Sequence, residues 1–232
     1  MKKLAIVIVI IGILIAMYPL AGKLYMQWQE NKLMAEWYNS EDAASAEAAT
    51  NSDANPEEAF GQLQDAFSAD AHEKTTSVKS NTTGTAVSAK SPAKSQTVLG
   101  IIKIDKIKIK YPIVEGVKPS NLSRAIGHIP GTPGLGQPGN CSLAGHRNYT
   151  FGRYFNRLDE VKVGDTISVT TKKAEFRYKV YQKLVVKPDD VSVLKGSKDE
   201  TELTLITCTP IYIATHRLIL HARLDETILL EP

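Results

Sequence analysis

The stretch Thr201-Glu202-Leu203-Thr204-Leu205-Ile206-Thr207-Cys208-Thr209-Pro210 decides the fold class of this chain. Apolar and β-branched residues dominate it up to Thr207, which is typical of a strand. After one short loop the chain continues as Arg217-Leu218-Ile219-Leu220-His221-Ala222, a second run of the same kind. The two runs predict two strands, of which the first ends on a thiol and the second begins with a guanidinium.

A third chemically active side chain lies upstream, where His146 closes a short apolar run in Ala144-Gly145-His146-Arg147. A thiol, an imidazole and a permanent cation are the groups that acyl transfer through a thioester requires. Taken singly, a Thr-Cys pair at a strand end is usually core, and an arginine opening a strand is usually an edge charge. Cys208, His146 and Arg217 can meet only if strands distant in sequence lie side by side.

Strand signals recur from residue 97 onward. The predicted strands are residues 98–104, 107–109, 112–115, 141–145, 166–170, 175–187, 201–208 and 217–224. Many short strands with little helix predict an all-β fold closed into a barrel.

The connections between these strands have their own signals. Residues 121–126 predict one or two helical turns after Pro119, and residues 151–158 a short amphipathic helix. Residues 127–139 are so rich in glycine and proline that they predict a shaped loop without regular structure.

The segment before residue 97 divides into an anchor and a linker. Residues 4–22 are uncharged and almost wholly aliphatic, with lysines on both sides, and the length suits a membrane span of about 20 residues. We therefore assign residues 1–23 to a transmembrane signal anchor; a signal peptide cleaved near Ala21-Gly22 is the alternative.

Residues 24–96 predict an extracytoplasmic helix followed by a flexible tether, because residues 39–96 are rich in Ala, Ser, Thr and Asn. A short helix is possible within the tether at residues 56–67, where Phe60, Leu63 and Phe67 share a face.

Composition excludes several classes of function. The formal net charge is +3, which gives no indication of nucleic-acid binding. Two cysteines do not make a disulfide framework, and a Cys141–Cys208 pair would consume the candidate nucleophile; we expect Cys141 to be a buried strand residue. We predict no cofactor. Nor do we predict a metal: calcium takes six or more oxygen ligands, residues 120–139 contain no carboxylate, and Asp189-Asp190 and Asp199-Glu200 fit solvated turns.

The ordered motifs resemble those of the sortases, the cysteine transpeptidases of Gram-positive cell surfaces. Thr-Leu-Ile-Thr-Cys at 204–208, Arg217 and Ala-Gly-His at 144–146 carry the likeness. Weaker matches are Leu-Gly-Ile-Ile-Lys-Ile at 99–104, Tyr-Pro-Ile-Val at 111–114, Gly-His at 127–128 and Val-Gly-Asp at 163–165. The resemblance implies an eight-stranded catalytic barrel over residues 97–232, anchored on the outer face of the cell membrane.

The resemblance also implies the reaction. Cys208 would attack the scissile carbonyl of an LPXTG-like C-terminal sorting signal, protonated His146 would serve the leaving amine, and Arg217 would face the oxyanion or the substrate backbone. The partners would be secreted surface proteins and an amine of the peptidoglycan precursor. Of the remaining histidines, His128 is the rival to His146, and we expect it to hydrogen-bond within its own loop.

Substrate-binding residues are assigned around the nucleophile. We expect the loops at 127–139 and 209–216 to border the peptide groove. The candidates for substrate contact are Thr207, Thr209, Ile211, Tyr212 and Ile213.

Gly127-His128, Pro138-Gly139-Asn140 and Gly145-His146-Arg147 look most like the class D group. Pilus-building sortases usually add an Asp-Pro-aromatic lid, to which Asn55-Pro56-Glu57 is the nearest match, and a second membrane span. A pilin-polymerising sortase, a secreted cysteine hydrolase and an inactive tethered barrel are the alternatives.

Overall fold

The computed structural model describes residues 24–25, 27–40, 53–72, 97–147, 153–211 and 213–230. The predicted span at residues 4–22 and the candidate Tyr212 lie outside these ranges. Within them, no helix combines the length and the apolarity that crossing a bilayer demands.

Eight strands form a closed β-barrel with the strand order β1-β2-β3-β4-β7-β8-β6-β5, which confirms the predicted eight-stranded barrel. The strands are β1 (Val98–Ile104), β2 (Ile109–Glu115), β3 (Ile126–His128), β4 (Gly139–Ala144), β5 (Thr166–Thr170), β6 (Ala174–Val186), β7 (Thr201–Thr209) and β8 (His216–Leu229). In the part of the chain that the structure describes, three α-helices accompany them: α1 (27–39), α2 (Pro56–His72) and α3 (Pro119–Leu122).

The structure differs from the sequence-based elements in three places. Strand β3 lies where a loop without regular structure was predicted, and it pairs with β2 and β4. A side chain does not fit at Gly127 in this strand, because a Cβ there would come 2.6 Å from the carbonyl oxygen of Gly116. The predicted strands at 107–109 and 112–115 are replaced by a 3₁₀ turn at Asp105–Ile107 and the single strand β2. In place of the helix at 151–158, the described residues form turns and a 3₁₀ helix at Leu158–Glu160.

The barrel interior is filled by apolar side chains that alternate along the strands. Ile102, Ile113, Leu143, Leu205 and Leu220 are all fully buried there. Cys141 lies in the same core, as predicted for a buried strand residue, and both cysteines are free thiols. The core therefore contains one thiol with no access to solvent.

Helix α1 packs on the outside of the barrel. Leu33 and Trp37 are buried against a cluster that includes Val98, Ile101 and Val114. Two polar contacts add to this packing: Glu30 pairs with Arg153, and Lys172 donates to the carbonyl of Trp37. Helix α1 is therefore part of the folded domain.

Candidate active site

Cys208, His146 and Arg217 come side by side on three neighbouring strands. Cys208 of β7 stands directly opposite Arg217 of β8 in their antiparallel ladder. Strand β4 runs parallel to β7 with Ala144 opposite Ile206, so two residues further on His146 reaches the level of Cys208. Because neighbouring strands lie about 4.8 Å apart and residues in register point to the same face, the register brings the three predicted residues together.

The ladder continues past the last residue of β4. The Gly145 amide donates to the Ile206 carbonyl at 3.1 Å, and the Thr207 hydroxyl donates to the Gly145 carbonyl at 2.7 Å. These two bonds fix the backbone that carries His146 against the backbone that carries Cys208.

Arg217 is held in one orientation by the backbone. Its Nη1 donates to the carbonyl oxygens of Ala214 at 2.8 Å and His216 at 2.9 Å. Burial lowers the pKa of the Arg217 guanidinium, while the charge of Cys208 acts in the opposite direction. The cation therefore stands close enough to the sulfur to interact with it electrostatically.

Helix α2 covers all three residues. Its apolar face presents Phe60, Leu63 and Phe67 to a cluster that contains Cys208. The relative exposures of Cys208, His146 and Arg217 are only 6%, 6% and 3%. The predicted helix at 56–67 is thus present, extends to His72 and closes the site.

Two side chains of α2 touch the candidate catalytic groups directly. The Phe67 ring lies 5.6 Å from the His146 ring, centroid to centroid, and 5.2 Å from the Arg217 guanidinium carbon. Arg217 Nε also donates to Gln64 Oε1 at 2.6 Å. An amide oxygen of α2 therefore occupies one donor of the guanidinium.

The closed arrangement leaves a polar group unsatisfied. Gln64 Nε2 is buried without a hydrogen-bond partner in the described part of the chain. Burying an unpaired donor costs about 1–3 kcal/mol. This cost reduces the stability of the closed state, so displacement of α2 requires less free energy than its apolar contacts alone suggest.

We expect loosening α2 to expose Cys208. Phe67→Ala removes the contacts with His146 and Arg217, and truncating a buried Phe typically costs about 3–5 kcal/mol. Alkylation of Cys208 by iodoacetamide should therefore accelerate roughly tenfold or more, because a tenfold change needs only about 1.4 kcal/mol. Gln62→Ala, on the exposed face of the same helix, is the matched control and should leave the rate unchanged. Equal rates in Phe67→Ala and wild type would show that α2 does not limit access.

The predicted substrate-binding residues occupy different environments. Thr207 is fully buried, and Thr209 accepts a hydrogen bond from Arg147 at 3.0 Å. Ile211 is half-buried, whereas Ile213 is 66% exposed. Beyond these five candidates, sequence reasoning did not identify Gln64, Phe67 or Arg147 as site residues, although the shared apolar face of 56–67 indicated the helix.

The loops expected to border the groove do adjoin the covered site. Ile129, from the glycine-rich loop, belongs to the cluster beneath α2, and Ala214 packs against that cluster. Groups of three or more His, Cys, Asp or Glu side chains that could hold a metal ion are not found among the described residues.

His128, the alternative candidate for the catalytic histidine, belongs to a separate hydrogen-bond network. Its Nδ1 lies 2.7 Å from Glu115 Oε2, and its Nε2 lies 3.0 Å from the Pro133 carbonyl oxygen and 3.1 Å from Thr132 Oγ1. Both ring nitrogens thus face oxygen acceptors, an arrangement that suits the doubly protonated imidazolium. Desolvation acts to lower the pKa of His128, but contacts with Cys141 and Glu115 outweigh it and raise the pKa to about 10.

The His128 network should make stability depend on pH. A histidine with a raised folded-state pKa stabilises fully below its ordinary pKa of 6.5, and this contribution disappears as the pH rises toward about 10. The free energy of unfolding, measured in urea, should therefore fall between pH 7 and pH 10, and His128→Gln should flatten that slope. His216→Gln, at an exposed histidine, should retain it; an unchanged slope in His128→Gln would contradict the assignment.

The fold is a closed eight-stranded β-barrel, and the candidate site has a cysteine, a histidine and an arginine side by side at the ends of three neighbouring strands. These two features together define a class of protein. The sequence matches the family model described as the Sortase domain over residues 102–225, more than half of the 232-residue chain. The chain belongs to the sortase family.

Relatives of several sortase types are similar to this chain. Sortase A of Streptococcus agalactiae serotype III is 32% identical over 157 residues, which cover 65% of this chain and 62% of that relative's length. A solved Clostridium perfringens sortase D5 transpeptidase is 36% identical, with a TM-score of 0.51, over 56% of this chain and 79% of that chain. The pilus-related sortase C of Group B Streptococcus is 28% identical, with a TM-score of 0.54, over 73% of this chain and 88% of that chain.

Proposed function

We propose that this chain is a membrane-anchored cysteine transpeptidase. It cleaves an LPXTG-like C-terminal sorting signal through a thioester on Cys208 and transfers the protein to an amine of the peptidoglycan precursor. The observation that carries the proposal is the register that sets Cys208 opposite Arg217 and at the level of His146. The uncharged, apolar residues 4–22, with lysines on both sides, support the anchoring.

In the first half-reaction the Cys208 thiolate attacks the scissile carbonyl carbon, so that a C–S bond forms and negative charge develops on the carbonyl oxygen. Arg217 stabilises that charge by donating N–H bonds in a water-poor site. As the C–N bond breaks, the imidazolium of His146 gives its proton to the leaving amine. The product is a thioester on Cys208 and a free amine.

In the second half-reaction an incoming amine attacks the thioester carbon. Neutral His146 accepts a proton from that amine, the C–S bond breaks, and a new amide forms as the Cys208 thiolate leaves. Helix α2 must move before a peptide can enter, since Phe67 and Gln64 occupy positions against His146 and Arg217. Water competes poorly even then, because barrel residues of the same apolar cluster, among them Ile206 and Ile219, still surround Cys208.

The test is product analysis by mass spectrometry with the full chain, a library of sorting peptides and a peptidoglycan-type amine. The expected products are an adduct on Cys208 and a peptide joined to the amine. Release of the free acid alone, at every amine concentration, would favour the secreted cysteine hydrolase and refute transpeptidation.

The pilin-polymerising alternative is favoured by one observation, the likeness to a pilus-related sortase C over 73% of this chain. The identity to the sortase D5 structure is 36%, and the identity to a sortase C1 structure of Streptococcus agalactiae is also 36%, so class D membership is supported by the sequence motifs around His128, Asn140 and His146. A competition between a pilin lysine side chain and the peptidoglycan-type amine separates the two functions, because the natural nucleophile should capture the larger share of the acyl group.

A further inference from the structure

Arg147, the residue after His146, is a buried cation whose side chain is only 8% exposed. Its guanidinium contacts two other segments of the chain, the end of β7 and residues 156–159. From Nη1 it donates to Thr209 Oγ1 at 3.0 Å and lies 3.5 Å from the Cys208 carbonyl oxygen. From Nε it donates to the Asn156 carbonyl at 3.1 Å, and Nη2 pairs with Asp159 at 2.8 Å.

These contacts lie next to the backbone of His146 and Cys208, and the candidate site depends on the relative position of these two residues. The Phe155 amide donates to the His146 carbonyl at 3.1 Å, so residues 153–160 fold back on the backbone of His146. Arg147 then joins that folded segment to the two residues at the end of β7. One rigid group therefore connects the backbone of the imidazole to the backbone of the thiol.

The chemistry of the side chain suits this task. A guanidinium is planar, presents five donors in a fixed fork and keeps its charge at any pH of interest. Burying a cation is costly, and an apolar contact could hold two strands together without that cost. The four polar contacts of the Arg147 guanidinium are therefore better explained by a need to fix the two segments relative to each other than by a gain in stability alone.

We propose that Arg147 is a positioning residue that sets the backbone of Cys208 relative to His146. The inference rests on the proposed function, in which that pair performs the chemistry. Arg147 acts through these two residues and does not touch the reacting atoms. Its loss should therefore slow acylation while leaving substrate affinity nearly intact.

The test compares Arg147→Gln with Arg157→Gln in the full chain. Arg157 lies in the same folded segment, where it pairs with Glu160 and donates to the Ile107 carbonyl at 3.3 Å, and none of these contacts reaches β7. Displacing reacting groups by about 1 Å can cost roughly 100-fold, so Arg147→Gln should lower kcat by about 10- to 100-fold with KM within about threefold. Arg157→Gln should keep kcat within about threefold, and Arg147→Lys should recover part of the loss.

A second variant keeps the test valid if Arg147→Gln fails to fold. Thr209→Val is nearly isosteric and removes only the hydroxyl that Arg147 binds; it should lower kcat without shifting the melting temperature by more than a few degrees. If Thr209 acts through Arg147, the double variant is no slower than Arg147→Gln. Multiplying effects would show that Thr209 acts independently and would overturn the shared role.

The outcomes also separate this inference from the proposed function. If wild-type enzyme forms an adduct on Cys208 and Arg147→Gln forms it equally fast, the positioning role is refuted and the nucleophile stands. If wild type forms no adduct on Cys208, the proposed function itself is refuted. Activity lost only in proportion to melting temperature in both arginine variants would likewise refute positioning.

Discussion

Cys208→Ala is expected to abolish transpeptidation while leaving the barrel folded. Removal of the nucleophile of a comparable catalytic group costs on the order of 10⁶-fold, which is below detection in a peptide assay. The sulfur is small and lies among apolar neighbours at the end of β7, so its loss should cost only about 1 kcal/mol of stability. Product formation by mass spectrometry and folding by circular dichroism check the two halves of this expectation.

The chain supplies a matched control in Cys141. That thiol lies in the barrel core on β4, away from the covered site, and Cys141→Ala should retain activity. Transpeptidation by a folded Cys208→Ala protein would remove Cys208 from the mechanism.

Arg217→Lys is expected to lose most activity although the charge is conserved. The guanidinium of Arg217 is oriented by two carbonyl groups through Nη1 and by Gln64 through Nε, and Arg217 stands opposite Cys208 in the β7–β8 ladder. An ammonium is a compact point charge that cannot reproduce the planar fork of a guanidinium. Loss of one oxyanion donor typically costs about 10²–10³ in rate, and the lysine variant should approach that loss.

The measurement is the initial rate of acylation in single turnover. Arg223→Lys provides the control, since Arg223 lies on the same strand, is half exposed and pairs with Glu200. If Arg217→Lys acylates within about threefold of wild type, where the loss of an oxyanion donor is absent, then Arg217 does not stabilise the transition state.

The barrel could be predicted from the sequence because most of its strands are long and rich in β-branched residues. Strands β1 and β5 have the predicted bounds, and β6 to β8 differ only at their ends. Strand β3 could not be predicted, because three residues around a glycine carry no periodicity, and only pairing with β2 and β4 makes them a strand. Gly127 allows two backbones to approach closely, and the local sequence pattern does not indicate that approach.

The site residues that belong to sequence motifs could be predicted. The residues that reach the site only because a helix packs over it could not. Cys208, His146 and Arg217 stand at strand ends, so their proximity follows once the register is known. The contacts of Gln64 and Phe67 with the site depend on where α2 packs, which its own sequence does not specify. Arg147 was quoted only as part of a motif, because its contacts come from segments far apart in the chain.

The docking of α1 has a consequence for the kinetics of inhibition by α2. Helix α2 is joined to the barrel at both ends, through residue 40 after the docked helix α1 and through residue 97 before β1. When α2 lifts away it therefore stays covalently attached beside its own groove and competes with peptide at an effective concentration set by that attachment. Dilution of the enzyme cannot weaken this competitor. A substrate displaces α2 only if it binds the groove more tightly than α2 does, or if its local concentration reaches the effective concentration of the attached helix.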